Sequence, residues 1–298
     1  MNPHKISLGA RIALISACFL WAASFIASKI ALVYIPPLTV VLFRLMVSSL
    51  CFIIWFLVEK KRIPKGNPGF WGKMILLSLF GTGLHYGIQT IGITYTTASN
   101  ASLYAATGPI SITLIAVFFL GERLTLKKTA GIGLALLGVL IVQGIDTLKN
   151  FRLEGHLLGD ILVFLSIVMW GIFTVAGKDM MKRMSAIDLT AIVTFIGTIY
   201  MIPIGLVEMK RTGFSISSVP LEAWGAVAFL GVTCSFLATL LYFLALQKSE
   251  SQKVGVYLYT IPPMSYVIAA IFLGEVIGVN LLVGSLVVLF GVYLTEKG

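Results

Sequence analysis

The sequence has little charge for its length. Only 11% of its 298 residues are Asp, Glu, Lys or Arg, whereas 58% are hydrophobic, and the mean hydropathy is +0.99. A soluble protein of this size needs far more charge to cover its surface. The composition therefore excludes an ordinary soluble enzyme or binding domain and indicates a protein that lies in a membrane.

Cysteine and histidine are scarce as well. The three cysteines fall in apolar runs without paired spacing, so neither a disulfide nor a metal site is indicated, and the three histidines are too scattered to form a ligand cluster. The glycine-rich run at 131–138 follows no predicted strand, which argues against a phosphate-binding loop and favours close helix packing. No cofactor is expected, and because no nucleophile is paired with a base, enzymatic activity is not expected.

The chain is rich instead in apolar runs of about 17–22 residues, the length of a helix that crosses a bilayer. Ten such runs are predicted, at 12–31, 38–58, 74–94, 100–120, 129–144, 157–177, 187–207, 222–246, 254–273 and 278–294. The longest connection between them, around 59–73, is too short to fold alone. The sequence therefore predicts an all-α membrane protein with ten transmembrane helices, embedded in the lipid bilayer of the cell (inner) membrane.

The net charge of +10 is explained by its distribution. If the N-terminus lies in the cytoplasm, sixteen Lys and Arg residues fall on the inner side, and only Lys149, Arg152, Lys210 and Arg211 on the outer side. An excess of Lys and Arg in cytoplasmic loops is typical of membrane proteins. Both termini are therefore predicted to be cytoplasmic, and nucleic acid is not an expected partner.

The two halves of the chain repeat each other. FLGE occurs at 119–122 and again at 272–275. At offsets of 149 and 153 residues the aligned pairs include Trp21 with Trp170, Tyr104 with Tyr257, and Pro109 with Pro262. Each half has five predicted helices, an odd number, so the second half must enter the membrane inverted. The sequence predicts two inverted five-helix repeats, residues 1–148 and 149–298, and the first helix, having an internal counterpart, is not interpreted as a cleaved signal peptide.

Segments 93–142 and 243–294 each combine a short helix connection, a proline within the next helix, LGE and a glycine-spaced helix. This doubled pattern resembles the drug/metabolite transporter (DMT) superfamily, most closely its ten-helix EamA branch. The resemblance spans the whole chain. It implies a helix bundle with a central cavity lined mainly by helices 1, 3, 4, 6, 8 and 9, and export of small metabolites, often amino acids.

The candidate substrate site is a set of polar and aromatic residues on these helices. The substrate-binding candidates are Trp21, Ser24, Ser28, Arg44, His85, Tyr86, Gln89, Tyr104, Thr107, Trp170, Thr174, Tyr242, Tyr257 and Thr260. Several share one helix face, such as Asn100, Tyr104, Thr107 and Ser111 at i, i+4, i+7 and i+11. For any single aromatic residue, ordinary packing is the alternative interpretation.

Pro109 and Pro262 lie about ten residues into the fourth and ninth predicted helices. Each is expected to kink its helix and free a backbone carbonyl, a defect that membranes tolerate where it is buried in protein or lines a wet cavity. We interpret the two prolines as hinges of the central site, with packing kinks as the alternative.

Four ionisable residues complete the prediction. Arg44 and His85 break the repeat and lie within helices, which makes them functional candidates; the alternatives are that Arg44 snorkels to the interface and that His85 is a hydrogen-bonded core residue. Glu122 and Glu275 of the FLGE motifs are expected to be structural anchors with basic or hydroxyl partners. No Asp or Glu is expected in the interior of any helix.

These features predict a secondary transporter that exports a small polar or amphipathic, amino-acid-like metabolite by alternating access. An exporter of cationic drugs ranks second because such a cation would lack a counter-charge, and a non-transporting membrane protein of the same fold also stays open. Transport is expected to be weakly coupled or uncoupled, with proton antiport through His85 as the alternative. A monomer suffices for this function, and a homo-oligomer stays open.

Overall fold

The computed structural model describes residues 6–61, 64, 66–96, 104–149, 157–273 and 278–298. Within them every secondary-structure element of three or more residues is helical. The α-helices are α1 Leu8–Tyr34, α2 Pro37–Val58, α3 Pro68–Gly81, α4 Gly83–Tyr95, α5 Gly108–Leu120, α6 Leu126–Lys149, α7 Leu157–Met180, α8 Ala186–Thr212, α9 Leu221–Phe229, α10 Thr239–Gln247, α11 Ser251–Gly255, α12 Ile261–Leu273 and α13 Val279–Lys297. A π-helical stretch, Leu230–Ala238, joins α9 to α10, and 3₁₀ turns occupy Ile216–Ser218 and Val256–Thr260.

Eight stretches of the described chain are long and apolar enough to cross a bilayer. Six of them are single helices, and the other two are the combined stretches Pro68–Tyr95 and Leu221–Gln247. The fourth and ninth predicted spans contain shorter α-helices, α5 and α12, of 13 residues each. The all-helical membrane architecture is thus confirmed, whereas ten complete spans and their inverted arrangement stay predictions.

The outer surface of the bundle is apolar. Leu57, Phe118, Leu221 and Leu286 are each more than two-thirds exposed, and they represent a much larger set of exposed aliphatic and aromatic side chains. A soluble monomer rarely shows apolar patches of this extent. This surface fits the hydrocarbon core of a bilayer.

A break at Thr82 divides the third predicted span into α3 and α4. The backbone of Thr82 leaves the helical region, at φ −131° and ψ −110°. The Thr82 hydroxyl donates to the Ser78 carbonyl at 2.8 Å, and the Ser78 hydroxyl donates to the Val193 carbonyl on α8 at 2.7 Å. Packing against α8 therefore fixes the bend and sets the direction in which α4 presents its side chains.

The last helices of the two halves, α6 and α13, pack closely along their length. Glycines make this possible, since a Cβ added to Gly138 would lie 2.6 Å from the Val288 nitrogen, and one added to Gly291 would lie 2.5 Å from the Ala135 nitrogen. Small residues at such positions let two backbones approach each other in a membrane. The glycine spacing in the sequence is thus explained by packing between these two helices.

The second helix of each half also pairs across the molecule, α2 with α8. The Glu208 carboxylate near the end of α8 accepts hydrogen bonds from the Leu38 and Thr39 backbone N–H groups at 3.1 and 2.7 Å. It thereby satisfies two of the donors that every helix leaves free at its N-terminus. Around the centre, α1 packs against α9, α10 and α12, while α4 and α5 pack against α7.

Candidate functional site

Three aromatic side chains from different helices meet at the centre of the bundle. The ring of Trp21 on α1 lies 5.4 Å from that of Trp170 on α7, with the planes at 88°. Tyr242 on α10 lies 5.4 Å from Trp21 and 5.8 Å from Trp170. Such edge-on and tilted pairs are the favoured arrangement of aromatic rings. We call Trp21, Trp170 and Tyr242 the aromatic triangle; the structure brings together these three candidates, which the sequence places far apart.

The π-helical stretch positions one corner of the triangle. The indole N–H of Trp21 donates to the Cys234 carbonyl at 3.3 Å, and the Thr239 hydroxyl donates to the same carbonyl at 3.2 Å. A π-helical stretch changes the backbone hydrogen-bond pattern and is frequent at functional sites. The sequence does not predict a π-helical stretch here. The short polar run at 233–235, inside an otherwise apolar helix, lies within it.

Two hydroxyl groups at the aromatic triangle, those of Thr174 and Tyr242, have no hydrogen-bonding partner in the described residues other than each other. The Thr174 and Tyr242 hydroxyls are fully buried and neighbour each other. No other group in the described ranges hydrogen-bonds to either. Buried polar groups normally have partners, and an unsatisfied one is costly. These two hydroxyls therefore leave hydrogen-bonding capacity free at the centre.

His85 on α4 extends the aromatic triangle. Its ring lies 5.6 Å from that of Trp170 and 5.1 Å from that of Tyr86. Its Nδ1 lies 2.8 Å from the Ser166 carbonyl oxygen on α7. Because a carbonyl only accepts hydrogen bonds, Nδ1 carries a proton, and in the neutral ring Nε2 is then an acceptor.

Arg44 on α2 turns inward. Its side chain is buried, and its guanidinium carbon lies 4.1 Å above the centroid of the Tyr86 ring. Its Nε–H donates to the Ser235 hydroxyl of the π-helical stretch at 2.9 Å. The alternative that Arg44 snorkels to the interface is therefore wrong. Arg44, Tyr86, His85 and Trp170 form one continuous series of contacts that leads to the aromatic triangle.

Several predicted site hydroxyls bond within their own helix instead. The Ser24 hydroxyl donates to the Trp21 carbonyl at 2.6 Å, that of Thr107 to the Tyr104 carbonyl at 2.7 Å, and that of Thr260 to the Tyr257 carbonyl at 2.7 Å. Ser28 and Gln89 are half-buried. The hydroxyl protons of Ser24, Thr107 and Thr260 are thus used by nearby backbone carbonyls.

The two tyrosines of the predicted stripe, Tyr104 and Tyr257, have contacts of their own. The Tyr104 ring lies 6.1 Å from that of Phe164, and the Tyr257 hydroxyl donates to the Glu296 carboxylate. Asn100 of the same stripe lies outside the described residues. The ring contacts of the aromatic triangle involve neither tyrosine of the stripe.

Two carboxylates, those of Glu296 and Asp160, are buried near helix ends. Glu296 on α13 is buried, forms an ion pair of 2.7 Å with Arg11 and accepts the bond from Tyr257. Asp160, in the first turn of α7, is also buried and accepts a hydrogen bond from the Thr96 hydroxyl. Both carboxylates lie near helix ends and are held by protein partners, which agrees with the expectation that no Asp or Glu lies in the interior of a helix.

Both candidate hinge prolines lie at the start of a helix. Pro109 is the second residue of α5, and Pro262 is the second residue of α12, directly after the 3₁₀ turn Val256–Thr260. Proline is favoured in a first helical turn because its missing N–H costs no hydrogen bond there. A turn at 106–107 precedes Pro109, so the expected kink within a continuous helix is wrong there, whereas before Pro262 the backbone stays helical and changes from 3₁₀ to α.

Glu122 has the basic partner that its position required. Its carboxylate accepts from the Lys178 ammonium at 2.7 Å and from the Ser251 backbone N–H at 2.8 Å. Glu275, its counterpart in the second FLGE motif, lies outside the described residues.

A groove of about 230 Å³ lies between α1, α12 and α13. Its lining is almost entirely apolar and includes Phe19, Met264 and Leu289, and Thr260 is the site candidate among its lining residues. Within the described residues no group of three His, Cys, Asp or Glu side chains could hold a metal ion.

The sequence also matches known proteins. The model of the EamA-like transporter family matches residues 8–143 and again residues 157–296. The chain belongs to the EamA-like transporter family. Together with its apolar spans, this makes it a multi-pass membrane protein of a transporter family.

Relatives of this EamA-like chain are transporters by name. An uncharacterized transporter of Archaeoglobus fulgidus is 30% identical over 278 residues, which are 93% of each chain. A protein of Streptantibioticus cattleyicolor, named a probable terminal-alkyne amino-acid exporter, is 25% identical over 96% of this chain and 92% of its own. A crystal structure superposes with a TM-score of 0.81 at 18% identity, covering 96% of this chain and 95% of that one, which shows a shared fold.

Proposed function

We propose that the protein is a secondary transporter that exports a small amphipathic, amino-acid-like metabolite by alternating access. The observation that carries this proposal is the aromatic triangle. Trp21 comes from the first half of the chain, while Trp170 and Tyr242 come from the second. A site built from both halves changes its access when the halves move against each other.

The architecture proposed for this transport is a ten-helix bundle made of two inverted five-helix repeats, residues 1–148 and 149–298, with both termini in the cytoplasm. The family model supports it by matching once in each half. The pairing of α6 with α13, and of α2 with α8, also supports it, since each pair joins equivalent helices of the two halves. In this arrangement the turn before Pro109 and the change from 3₁₀ to α before Pro262 are the hinges.

An amino-acid-like substrate fits the chemistry of the centre. Aromatic faces bind an apolar side chain, and the Thr174 and Tyr242 hydroxyls have hydrogen bonds to offer. The name of the Streptantibioticus relative supports the same class. A cationic drug could use the aromatic faces, but the buried carboxylates Asp160 and Glu296 are held by other protein groups. We therefore rank cationic drugs second.

Transport is proposed to be weakly coupled or uncoupled. The hydrogen bond between His85 Nδ1 and the Ser166 carbonyl supports a structural histidine. Proton antiport through His85 is the alternative, because histidine is the side chain that titrates nearest neutral pH.

The proposal is tested by export of a panel of amino acids from cells that are hypersensitive to their accumulation. Expression of the wild type is expected to restore growth and lower the internal concentration of at least one amino acid. Trp21→Phe removes the indole N–H that donates to Cys234 and is expected to slow this export. Trp55→Phe is the matched control, because Trp55 is exposed on the outer face of α2.

Two outcomes would contradict the proposal. If cells with the protein export no amino acid faster than cells without it, the result favours a non-transporting role. If Trp21→Phe and Trp55→Phe both export at the wild-type rate, the aromatic triangle is ordinary packing and the substrate passes elsewhere.

A further inference from the structure

Arg44 is a buried cation whose hydrogen-bonding capacity is mostly unused. A guanidinium has five N–H donors, and the Nε–H of Arg44 donates to Ser235 at 2.9 Å. Its two Nη groups make no hydrogen bond, and no carboxylate lies within 4 Å of them, in the described part of the chain. The residue is only 8% exposed.

A charge in this position is costly for a membrane protein. Arginine within a transmembrane segment is rare, and where it occurs it normally pairs with an anion or marks a substrate path. Tyr86 covers one face of the guanidinium at 4.1 Å, and Ser235 fixes Nε. Both contacts orient the planar group and leave the edge that carries the two Nη atoms for another partner.

The location of Arg44 connects it to the candidate site. Tyr86 contacts both the guanidinium and His85, and His85 contacts Trp170 of the aromatic triangle. A ligand that packs an apolar group against the aromatic triangle is therefore connected to the Arg44 guanidinium through His85 and Tyr86.

We propose that Arg44 binds the carboxylate of the transported solute through its two Nη groups, so that the protein requires a free carboxylate in its substrate. This inference rests on the proposed function and adds the group that the site recognises. A guanidinium and a carboxylate match each other in a bidentate, charge-assisted pair.

A monocarboxylate suits the site better than a phosphate. No second lysine or arginine of the described residues contacts Tyr86 or Ser235. His85 donates its Nδ1–H to a carbonyl and, when neutral, adds an acceptor at Nε2, which suits the ammonium group of an amino acid and repels a phosphate dianion. A single cation next to a neutral acceptor thus favours a solute with one negative charge.

The test is counterflow in proteoliposomes that contain the purified protein. The proteinogenic amino acids are assayed first, and each one that moves is compared with its primary amide, which has the same shape without the negative charge. The wild type is expected to show a KM for the acid about tenfold or more below that for the amide, the factor typical of charge-assisted hydrogen bonds. Inorganic phosphate is added as a competitor and is expected not to inhibit.

Variants separate Arg44 from general effects of charge. Arg44→Gln is expected to raise the KM of the acid to about that of the amide, and its melting temperature in detergent, compared with that of the wild type, shows whether the variant is folded. Arg44→Lys keeps the positive charge but lacks the paired Nη groups. Its KM for the acid is expected to lie between those of the wild type and Arg44→Gln. Lys29→Gln is the matched control, because Lys29 is an exposed cation on α1, and it should keep the wild-type preference.

Each contrary result has a distinct meaning. If the wild type moves the amide as well as the acid, or if Arg44→Gln keeps the full preference for the acid, Arg44 does not bind the carboxylate, although the protein remains an exporter. Inhibition by phosphate at concentrations comparable to the acid's KM would overturn the choice of a monocarboxylate. If no amino acid moves at all, the proposed function fails together with this inference.

Discussion

The Lys178 ammonium lies 2.7 Å from a carboxylate oxygen of Glu122, so that the last turn of α7 is tied to the second residue after the end of α5. The same carboxylate accepts from the backbone N–H groups of Ser251 and Gln252 at 2.8 and 3.3 Å. It therefore also caps the N-terminus of α11. One side chain of the FLGE motif thus joins three helices that come from both halves of the chain.

Removing this carboxylate should destabilise the protein in a pH-dependent way. Burial raises the pKa of Glu122, but the Lys178 ammonium and the Ser251 N–H outweigh burial, and its pKa is lower than usual. Since the folded-state pKa is the lower one, the stabilisation is complete above the pKa of an unfolded glutamate, about 4.3, and is lost as the pH falls through the folded-state value.

We therefore expect Glu122→Gln to lower the melting temperature in detergent at pH 7, through a loss of about 1–3 kcal/mol. The difference from the wild type should shrink as the pH falls below about 4. Glu59→Gln, at an exposed carboxylate after α2, is the control and should melt like the wild type throughout. A Glu122→Gln difference that is constant from pH 3 to pH 7 would show that the charge is not what stabilises the contact.

The inverted repeats can be tested by labelling. Thr125 follows the first FLGE motif, and Val279 follows the second and is 75% exposed. In a background without Cys18, Cys51 and Cys234, Thr125→Cys should react with a membrane-impermeant maleimide only from the cytoplasm. Val279→Cys should react only from outside. If both react from the same face, the two halves are not inverted.

The prolines should act on transport more than on folding. With Pro109→Ala or Pro262→Ala, the new N–H allows the helix to continue into the turn before it, which should shift the balance between inward-open and outward-open states. We expect wild-type expression with slower export. Pro68→Ala is the matched control, since Pro68 also lies in a first helical turn, at the exposed start of α3. Unchanged turnover in both hinge variants would reduce these prolines to packing features.

His85 provides a test of coupling. His85→Gln is compared with the wild type by uptake into proteoliposomes, with and without an imposed pH gradient. If transport is uncoupled, the gradient should not drive accumulation in either protein. Accumulation that occurs in the wild type and is lost in His85→Gln would instead support proton antiport, and equal accumulation in both would exclude His85 as the proton carrier.

The α6–α13 interface should tolerate almost no added volume. A Cβ at Gly138 would lie 2.6 Å from the Val288 nitrogen and 2.7 Å from the Gly284 oxygen, both of them backbone atoms. Gly138→Ala should therefore separate the helices and lower the melting temperature. Gly133→Ala, on the same helix with nothing within 4 Å, should be neutral or raise stability by up to about 1 kcal/mol. Equal melting of the two variants would mean that α6 and α13 are not packed in this way.

The internal repeat made part of the site predictable. Trp21 and Trp170 occupy equivalent positions in the two halves, and the structure places them in edge-on contact. The partners of Arg44 were harder to foresee. Arg44 breaks the repeat, and Ser235 lies 191 residues away in a π-helical stretch whose register depends on tertiary packing.

The other differences between the predicted helices and those in the structure have a common physical cause. A hydropathy window averages over many residues, so one buried Asp160 or Glu296 near a helix end does not interrupt an apolar run. The same averaging merged the turn before Pro109 with the helix that follows it, although proline prefers the first turn of a helix. Sequence patterns located the helices well, but contacts between helices decided which polar groups face the centre.

The close approach of α6 and α13 has a consequence for the synthesis of the protein. Gly284 follows Gly138, the glycine that it packs against, by 146 residues in the chain. At about 5–20 residues per second, the glycine face of α6 therefore spends on the order of 10–30 s in the membrane before its partner helix exists. A premature stop codon before Val279 would make this waiting state permanent. Such a truncated chain leaves the glycine face of α6 unpaired and should bind other membrane helices or be degraded.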